Sequence, residues 1–180
     1  MKLVDCPEQG NQPWADTEDE LVEFDVKYLL DCLGKLRGTS YHVVRRPDVE
    51  ERHLPQPDYV AQESETGALL AIEHARFFES QDTRKAEARI VKRSGILVRW
   101  LNKPSPKQLG ERLTEFFHEK VAKGQLADFG HCERILLARN RWSDAGINRF
   151  LEVEPYFEHN DQATCDHFYI VVSKRLIQVF

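Results

Sequence analysis

Two carboxylates, Asp58 and Glu73, are the residues whose types and spacing point most directly to chemistry. Each lies in a short apolar segment, and the two segments flank residues 64–67, a polar stretch ending in glycine that is typical of a turn. If the turn is centred between Glu65 and Thr66, cross-strand partners have numbers that sum to 131, which places Asp58 opposite Glu73. Their Cβ atoms would then be roughly 5 Å apart, where like charges repel unless they share a divalent cation. A three-residue turn would instead put the two side chains on opposite faces.

The size and composition of the chain indicate what kind of protein carries such a site. The chain has 180 residues, 41% hydrophobic and 31% charged, which favours a single globular domain over residues 1–180. No apolar run is long enough to cross a bilayer and no signal-peptide pattern is present, so we expect a cytoplasmic protein without a membrane partner. The four cysteines form no CxxC pair, which indicates neither a disulfide framework nor a zinc ribbon and favours Cys32 and Cys132 as small core residues.

Helical and strand patterns alternate along the chain. The predicted elements are a helix from a capping box at Thr17–Glu20 to about Gly34–Gly38, a strand at 41–44, the hairpin, a helix at 80–94, a strand at 96–101, a helix at 105–123, a strand at 134–138 and a terminal hairpin at 168–180. This order predicts an α/β fold in which a mixed β-sheet is flanked by helices.

The element order, with Pro57-Asp58 on one strand and Glu73 on the next, resembles the PD-(D/E)xK nuclease superfamily, which has the restriction-endonuclease-like fold. Its core is αβββαβ, and the likeness covers about residues 17–101, with 102–180 as a C-terminal elaboration of helix and strands. The resemblance implies that Asp58 and Glu73 are catalytic residues and ligands of Mg²⁺ or Mn²⁺. The chain departs from the motif at Ala75, where the superfamily has a lysine that orients the attacking water or stabilises negative charge.

Basic residues after the hairpin are candidates to replace that lysine and to hold nucleic acid. Residues 84–107 contain eight bases and one acid, although the formal net charge is −5. Four of these bases lie near one side of the predicted helix, as a surface that follows phosphates requires. They are Lys85, Arg89, Lys92 and Arg93. The alternative is a solvated helix face without a ligand.

A third carboxylate in the superfamily often comes from the first helix, and Asp25 is our candidate for this catalytic position. It lies within the apolar stripe that includes Tyr28 and Leu29, where a charge is costly unless it reaches a polar site. The alternative for Asp25 is a rim residue paired with a nearby lysine or arginine. His74 is more typical of a core histidine held by one hydrogen bond than of a catalyst.

These patterns favour metal-dependent hydrolysis of phosphodiester bonds in nucleic acid, with DNA favoured over RNA. A second interpretation is the same fold with a degraded site, which binds nucleic acid or a protein partner in a larger assembly without cleavage. A third is an acidic scaffold or immunity-type protein in which the hairpin carboxylates have no special role. The first two differ in whether a cation reaches the gap left at Ala75.

Overall fold

The described elements include the predicted first helix, the strand that follows it, the central hairpin, the helix near 105–123, the strand near 134–138 and the terminal hairpin. Short elements at Lys2–Leu3, Pro47–Glu50 and Ile147–Leu151 lie where no element was predicted. A computed structural model describes residues 1–10, 18–50, 55–78, 104–129, 131–142, 145–159 and 164–180. The elements in these residues are β1 (Lys2–Leu3), α1 (Glu18–Arg37), β2 (Tyr41–Arg45), α2 (Pro47–Glu50), β3 (Tyr59–Glu63), β4 (Leu69–Phe77), α3 (Pro106–Val121), β5 (Glu133–Asn140), α4 (Ile147–Leu151), β6 (His167–Val172) and β7 (Arg175–Gln178), with 3₁₀ turns at Ala127–Phe129 and Glu154–Tyr156. None of the described helices is long and apolar enough to cross a membrane.

The described strands form one mixed sheet in the order β1-β7-β6-β5-β4-β3-β2. Strands β4, β5 and β6 are parallel neighbours, whereas the pairs at both sides of this group are antiparallel. The predicted α/β class, with a mixed sheet flanked by helices, is therefore confirmed. The predicted terminal hairpin is also present, with Ser173 and Lys174 at positive φ in its two-residue turn.

The register of the β3–β4 hairpin is the one that the turn chemistry predicts. Tyr59 pairs with Ile72 and Gln62 pairs with Leu69, so partner numbers sum to 131. The turn closes with a hydrogen bond from the Glu63 amide to the Ala68 carbonyl, and Gly67 has a φ of +75° that favours glycine.

Two hydrophobic clusters cover the two faces of the sheet. Because side chains alternate along a strand, β4 contributes Leu70 and Ile72 to the cluster beneath α1, and Ala71, Ala75 and Phe77 to the cluster beneath α3. Helix α1 therefore packs on the face opposite to α3. This arrangement decides which side chains can meet Glu73.

Helix α3 begins with the predicted capping box. The Gln108 amide donates to Ser105 Oγ at 3.2 Å, and the Ser105 amide donates to Gln108 Oε1 at 3.0 Å. The helix ends at Val121, slightly before the expected Lys123. It leads into β5, so among the described residues α1, β2, β3, β4, α3 and β5 follow an αβββαβ order, with the short helix α2 inserted between β2 and β3. Helix α3 and β5 lie beyond the predicted core of residues 17–101. The predicted helix at 80–94 and strand at 96–101 lie outside the described residues.

One prediction about the cysteines is wrong, because Cys6 and Cys32 form a disulfide. The first residues pair with β7 and bring Cys6 beside α1: Lys2 pairs with Gln178, and the Val4 amide donates to the Leu176 carbonyl. A pair separated by 26 residues carries no short motif, so the spacing alone could not reveal it. Cys132 is a buried free thiol, as expected.

Candidate functional site

Asp58 lies immediately before β3, where the hairpin register places it opposite Glu73. Backbone pairing between β3 and β4 extends only as far as Tyr59 and Ile72. Beyond that pair, Asp58 Oδ2 accepts a hydrogen bond from the His74 amide at 2.7 Å. The Asp58 side chain therefore caps β4 at the point where β3 begins.

Glu73 points to the α3 face and is only 4% exposed. Its Oε2 atom is buried and has no hydrogen-bond partner among the described residues, while Oε1 lies 3.4 Å from Lys120 Nζ. Burial and the nearby Asp58 carboxylate raise the pKa of Glu73 to about 8, although Lys120 and Lys123 act in the opposite direction. The hairpin argument predicts the two neighbouring carboxylates, whereas the burial of Glu73 and its unsatisfied oxygen are further findings.

Among the described residues, Lys120 is a cation in contact with Glu73, on the face of β4 that Ala75 shares. Ala75 is buried against the α3 cluster, two residues along β4 from Glu73 and on the same face. Sequence reasoning looked for the replacement in Lys85, Arg89 and Lys92, which lie outside the described residues together with Arg93.

A signal for Lys120 was present in the sequence. Leu109, Leu113, Phe116 and Phe117 form the buried stripe of α3, and Lys120 follows this stripe at helical spacing. A charge at such a position must reach a polar site, which is the argument that selected Asp25 on α1.

A narrow cleft opens beside Glu73 and Lys120. The space open to a water molecule inside it is about 10 Å³, and its lining residues are Glu73, Lys120, Val121, Gln125, Leu126, Ala127, Leu136, Thr164 and Cys165. Gln125 also donates a hydrogen bond to the Gln56 carbonyl at 3.3 Å. This bond ties the end of α3 to the segment that carries Asp58.

The structure does not bring Asp25 together with Asp58 and Glu73, contrary to our expectation for a third catalytic carboxylate. Asp25 is fully buried on the α1 face, where its Oδ2 atom lies 3.0 Å from His74 Nε2 and 2.6 Å from Arg139 Nε. Gln9 Nε2 donates to Asp25 Oδ1 at 3.0 Å. Helical periodicity placed Asp25 against the sheet correctly, but it cannot say which face of the sheet α1 covers.

The partners of Asp25 explain how its charge is tolerated in the core. Burial alone would raise the pKa of Asp25, but hydrogen bonds from Arg139 and His74, the Arg139 charge and the Gln9 amide lower it to about 2. Its neighbour His74 is a buried histidine with its ring held by Asp25, in agreement with the sequence prediction.

No group of three or more histidine, cysteine, aspartate or glutamate side chains able to hold a metal ion is found in the described ranges. Any ion at this site would therefore depend on the Asp58 and Glu73 pair, with further oxygens from water or substrate. Comparison with known proteins yields no matching family model, curated protein or solved structure.

Proposed function

We propose that the chain is a metal-dependent nuclease-like protein that hydrolyses phosphodiester bonds of nucleic acid, with Asp58 and Glu73 as ligands of Mg²⁺ or Mn²⁺. The observation that carries the proposal is the pair of carboxylates at adjacent hairpin positions, with the Lys120 ammonium 3.4 Å from Glu73. This is an acid pair plus a cation, which the PD-(D/E)xK resemblance requires. DNA is the favoured substrate, and a cytoplasmic location belongs to the same proposal. In that reducing compartment the Cys6–Cys32 disulfide would be reduced.

The donor set fits a hard divalent cation. Mg²⁺ is commonly bound through one or two protein carboxylates, and water and substrate phosphate oxygens complete its coordination. Glu73 Oε2 is a buried oxygen without a partner in the part of the chain that the structure describes, which is costly in a folded protein unless a ligand satisfies it. A bound cation would also relieve the repulsion between Asp58 and Glu73 that contributes to the raised pKa of Glu73.

Each residue has a separate role in this proposal. The cation supplies Lewis acidity that lowers the pKa of a bound water and neutralises charge on the phosphate. Asp58 is held in orientation by the His74 amide, and Glu73 provides a ligand in a site with little water. Lys120 contributes positive charge beside the ligands, where it stabilises the negative charge that develops on the phosphate.

A second candidate function is a non-catalytic module that binds nucleic acid or a protein partner. The same contact favours it, because Lys120 Nζ already donates a hydrogen bond to Glu73 Oε1 without any metal ion. The raised pKa of Glu73 also keeps a large fraction of this acid protonated at neutral pH, which weakens its attraction for a cation.

Nuclease assays and calorimetry separate the two functions. The purified chain is incubated with single-stranded DNA, double-stranded DNA and RNA in Mg²⁺ or Mn²⁺, and Mn²⁺ binding is measured by calorimetry. Glu73→Gln and Asp58→Asn are expected to abolish cleavage and weaken Mn²⁺ binding. Glu65→Gln in the exposed turn is the matched control and should retain both.

Three results have clear meanings. Cleavage that depends on Asp58 and Glu73 supports the nuclease. Gel retardation of nucleic acid without cleavage, with either metal ion, supports the binding module. Mn²⁺ binding that is unchanged in both carboxylate variants overturns the metal site.

A further inference from the structure

We infer that Asp25 is a positioning residue for Asp58, which it reaches through His74 from the opposite face of the sheet. The effect of Asp25 on metal binding rests on the proposed function, whereas its effect on the orientation of Asp58 does not. Asp25 thus orients a residue of the site although it lies on the other face of the sheet.

The first link is the backbone of His74. Its amide lies two residues beyond Ile72, the last β4 residue that pairs with β3. The acceptor of this amide is Asp58 Oδ2 at 2.7 Å, a side-chain oxygen that takes the place of a strand carbonyl. The orientation of the Asp58 carboxylate therefore depends on where the His74 amide points.

The second link is the ring of the same residue. His74 Nε2 lies 3.0 Å from Asp25 Oδ2, and because a carboxylate can only accept, Nε2 is the protonated ring nitrogen. His74 and Asp25 are both buried, so water does not replace this bond at low cost. Because the ring and the amide belong to the same residue, a shift of the His74 ring also moves the amide that donates to Asp58.

The third link is the rigid support of Asp25. Arg139 donates to both carboxylate oxygens of Asp25, one of these bonds being 2.6 Å long, and Gln9 donates at 3.0 Å. Arg139 Nη2 also donates to Gln9 Oε1 at 3.0 Å, which closes the network. Hydrogen-bond partners outside the first layer of a metal site commonly change affinity 10- to 100-fold.

Amide exchange of His74, followed by NMR, tests the inference directly. Asp25→Asn is expected to accelerate exchange of the His74 amide about tenfold more than that of the Ala71 amide in the centre of β4. His74→Leu should weaken Mn²⁺ binding about tenfold, whereas His74→Gln, whose amide can still donate to Asp25, should restore most of it.

Two controls distinguish positioning from general loss of stability. Glu133 joins β5 to α1 through Arg37 and also contacts His167 at 3.2 Å, so Glu133→Gln removes a carboxylate with the same types of partner but no link to His74. Leu33→Ala opens a cavity under α1 and should lower the free energy of unfolding by at least as much as Asp25→Asn does. Both controls are expected to leave the relative exchange of the His74 amide and Mn²⁺ affinity within about threefold of the native protein.

The outcomes are separable. Equal acceleration of the His74 amide in Asp25→Asn and in the two controls overturns the inference. If the native chain binds no Mn²⁺, the proposed function fails, and the exchange measurement still decides whether Asp25 orients Asp58. Faster exchange and weaker Mn²⁺ binding specific to Asp25→Asn support both.

Discussion

Lys120 Nζ lies 3.4 Å from Glu73 Oε1, which joins the last turn of α3 to β4, the strand that carries Glu73. Glu73 is buried and the Lys120 side chain is 19% exposed, so the pair is largely removed from water. Such a contact has two consequences, because Lys120 opposes the rise in the pKa of the buried Glu73 and places a positive charge beside this acid. The first consequence concerns stability and the second concerns catalysis.

Substitution of Lys120 should separate cleavage from metal binding. Lys120→Met removes the charge that would stabilise the phosphate, so we expect cleavage to fall at least about 100-fold. Mn²⁺ binding should be unchanged or tighter, because a cation that competes for Glu73 is lost. Lys123→Met is the control, since Lys123 influences the pKa of Glu73 through its charge alone and is exposed. Equal losses of cleavage in the two variants would contradict the role of Lys120.

Glu73 should make the protein less stable as the pH rises toward 8. Its pKa is raised from 4.5 to about 8, so the folded state binds a proton that the unfolded state has released between these values. The contribution of Glu73 to the free energy of unfolding is therefore greatest below about pH 4.5, and this contribution is lost as the pH rises through 8. We expect the native protein to lose about 2 kcal/mol between pH 6 and pH 8 from this ionisation.

Urea unfolding of the native protein and of Glu73→Gln at both pH values isolates this effect. The difference in unfolding free energy between the two proteins should grow by that amount in favour of the glutamine variant, while contributions from histidines cancel. A difference that does not change with pH would show that the pKa of Glu73 is near its ordinary value.

The Cys6–Cys32 disulfide should contribute to stability in the absence of any ligand. It closes a loop with a sequence separation of 26, for which the loop-entropy model gives about 3 kcal/mol. A reducing agent is therefore expected to lower the unfolding free energy of the native protein by about this amount in urea. The double variant Cys6→Ser with Cys32→Ser should be insensitive to the reductant, although it retains the free thiols Cys132 and Cys165. An equal response of the native and double-variant proteins would exclude the disulfide as the cause.

The parts of this site that the sequence could predict are those set by local rules. The turn at residues 64–67 determines the β3–β4 register, and the register in turn relates Asp58 to Glu73. Lys120 is 47 positions from Glu73, and their contact depends on the packing of α3 over β4 and β5. No local pattern contains that packing, although the charge at the end of the α3 stripe indicates that a polar site must exist.

The position of Asp25 also depends on packing that no local sequence pattern contains. Its helical phase predicts that it faces the sheet, and it does so, but α1 and α3 cover opposite faces. The face is chosen by how α1 leads into β2 and by the cluster beneath it, which are properties of the assembled sheet. The pairing of Asp25 with Arg139, a residue of β5, therefore could not be read from the helix alone.

Moving the lysine from position 120 on α3 to position 75 on β4 tests whether Lys120 takes the role of the motif lysine of the superfamily. Ala75 is 5% exposed and lies on the same face as Glu73, two residues further along the strand. Ala75→Lys alone buries a second cation and should destabilise the protein by a few kcal/mol. In the Lys120→Ala background, the truncated side chain leaves space, and Lys at position 75 would be the sole replacement for the lost charge.

We therefore expect Ala75→Lys with Lys120→Ala to cleave nucleic acid about tenfold faster than Lys120→Ala alone. The matched double variant Ala75→Met with Lys120→Ala adds similar bulk without charge and should recover none. The native protein, the two single variants and Ala75→Lys with Lys120→Ala form the double-mutant cycle, and steady-state cleavage and urea unfolding are measured for these four proteins and for the methionine control. Recovery by methionine as well as by lysine would mean that packing, rather than positive charge near Glu73, is what the site requires from α3.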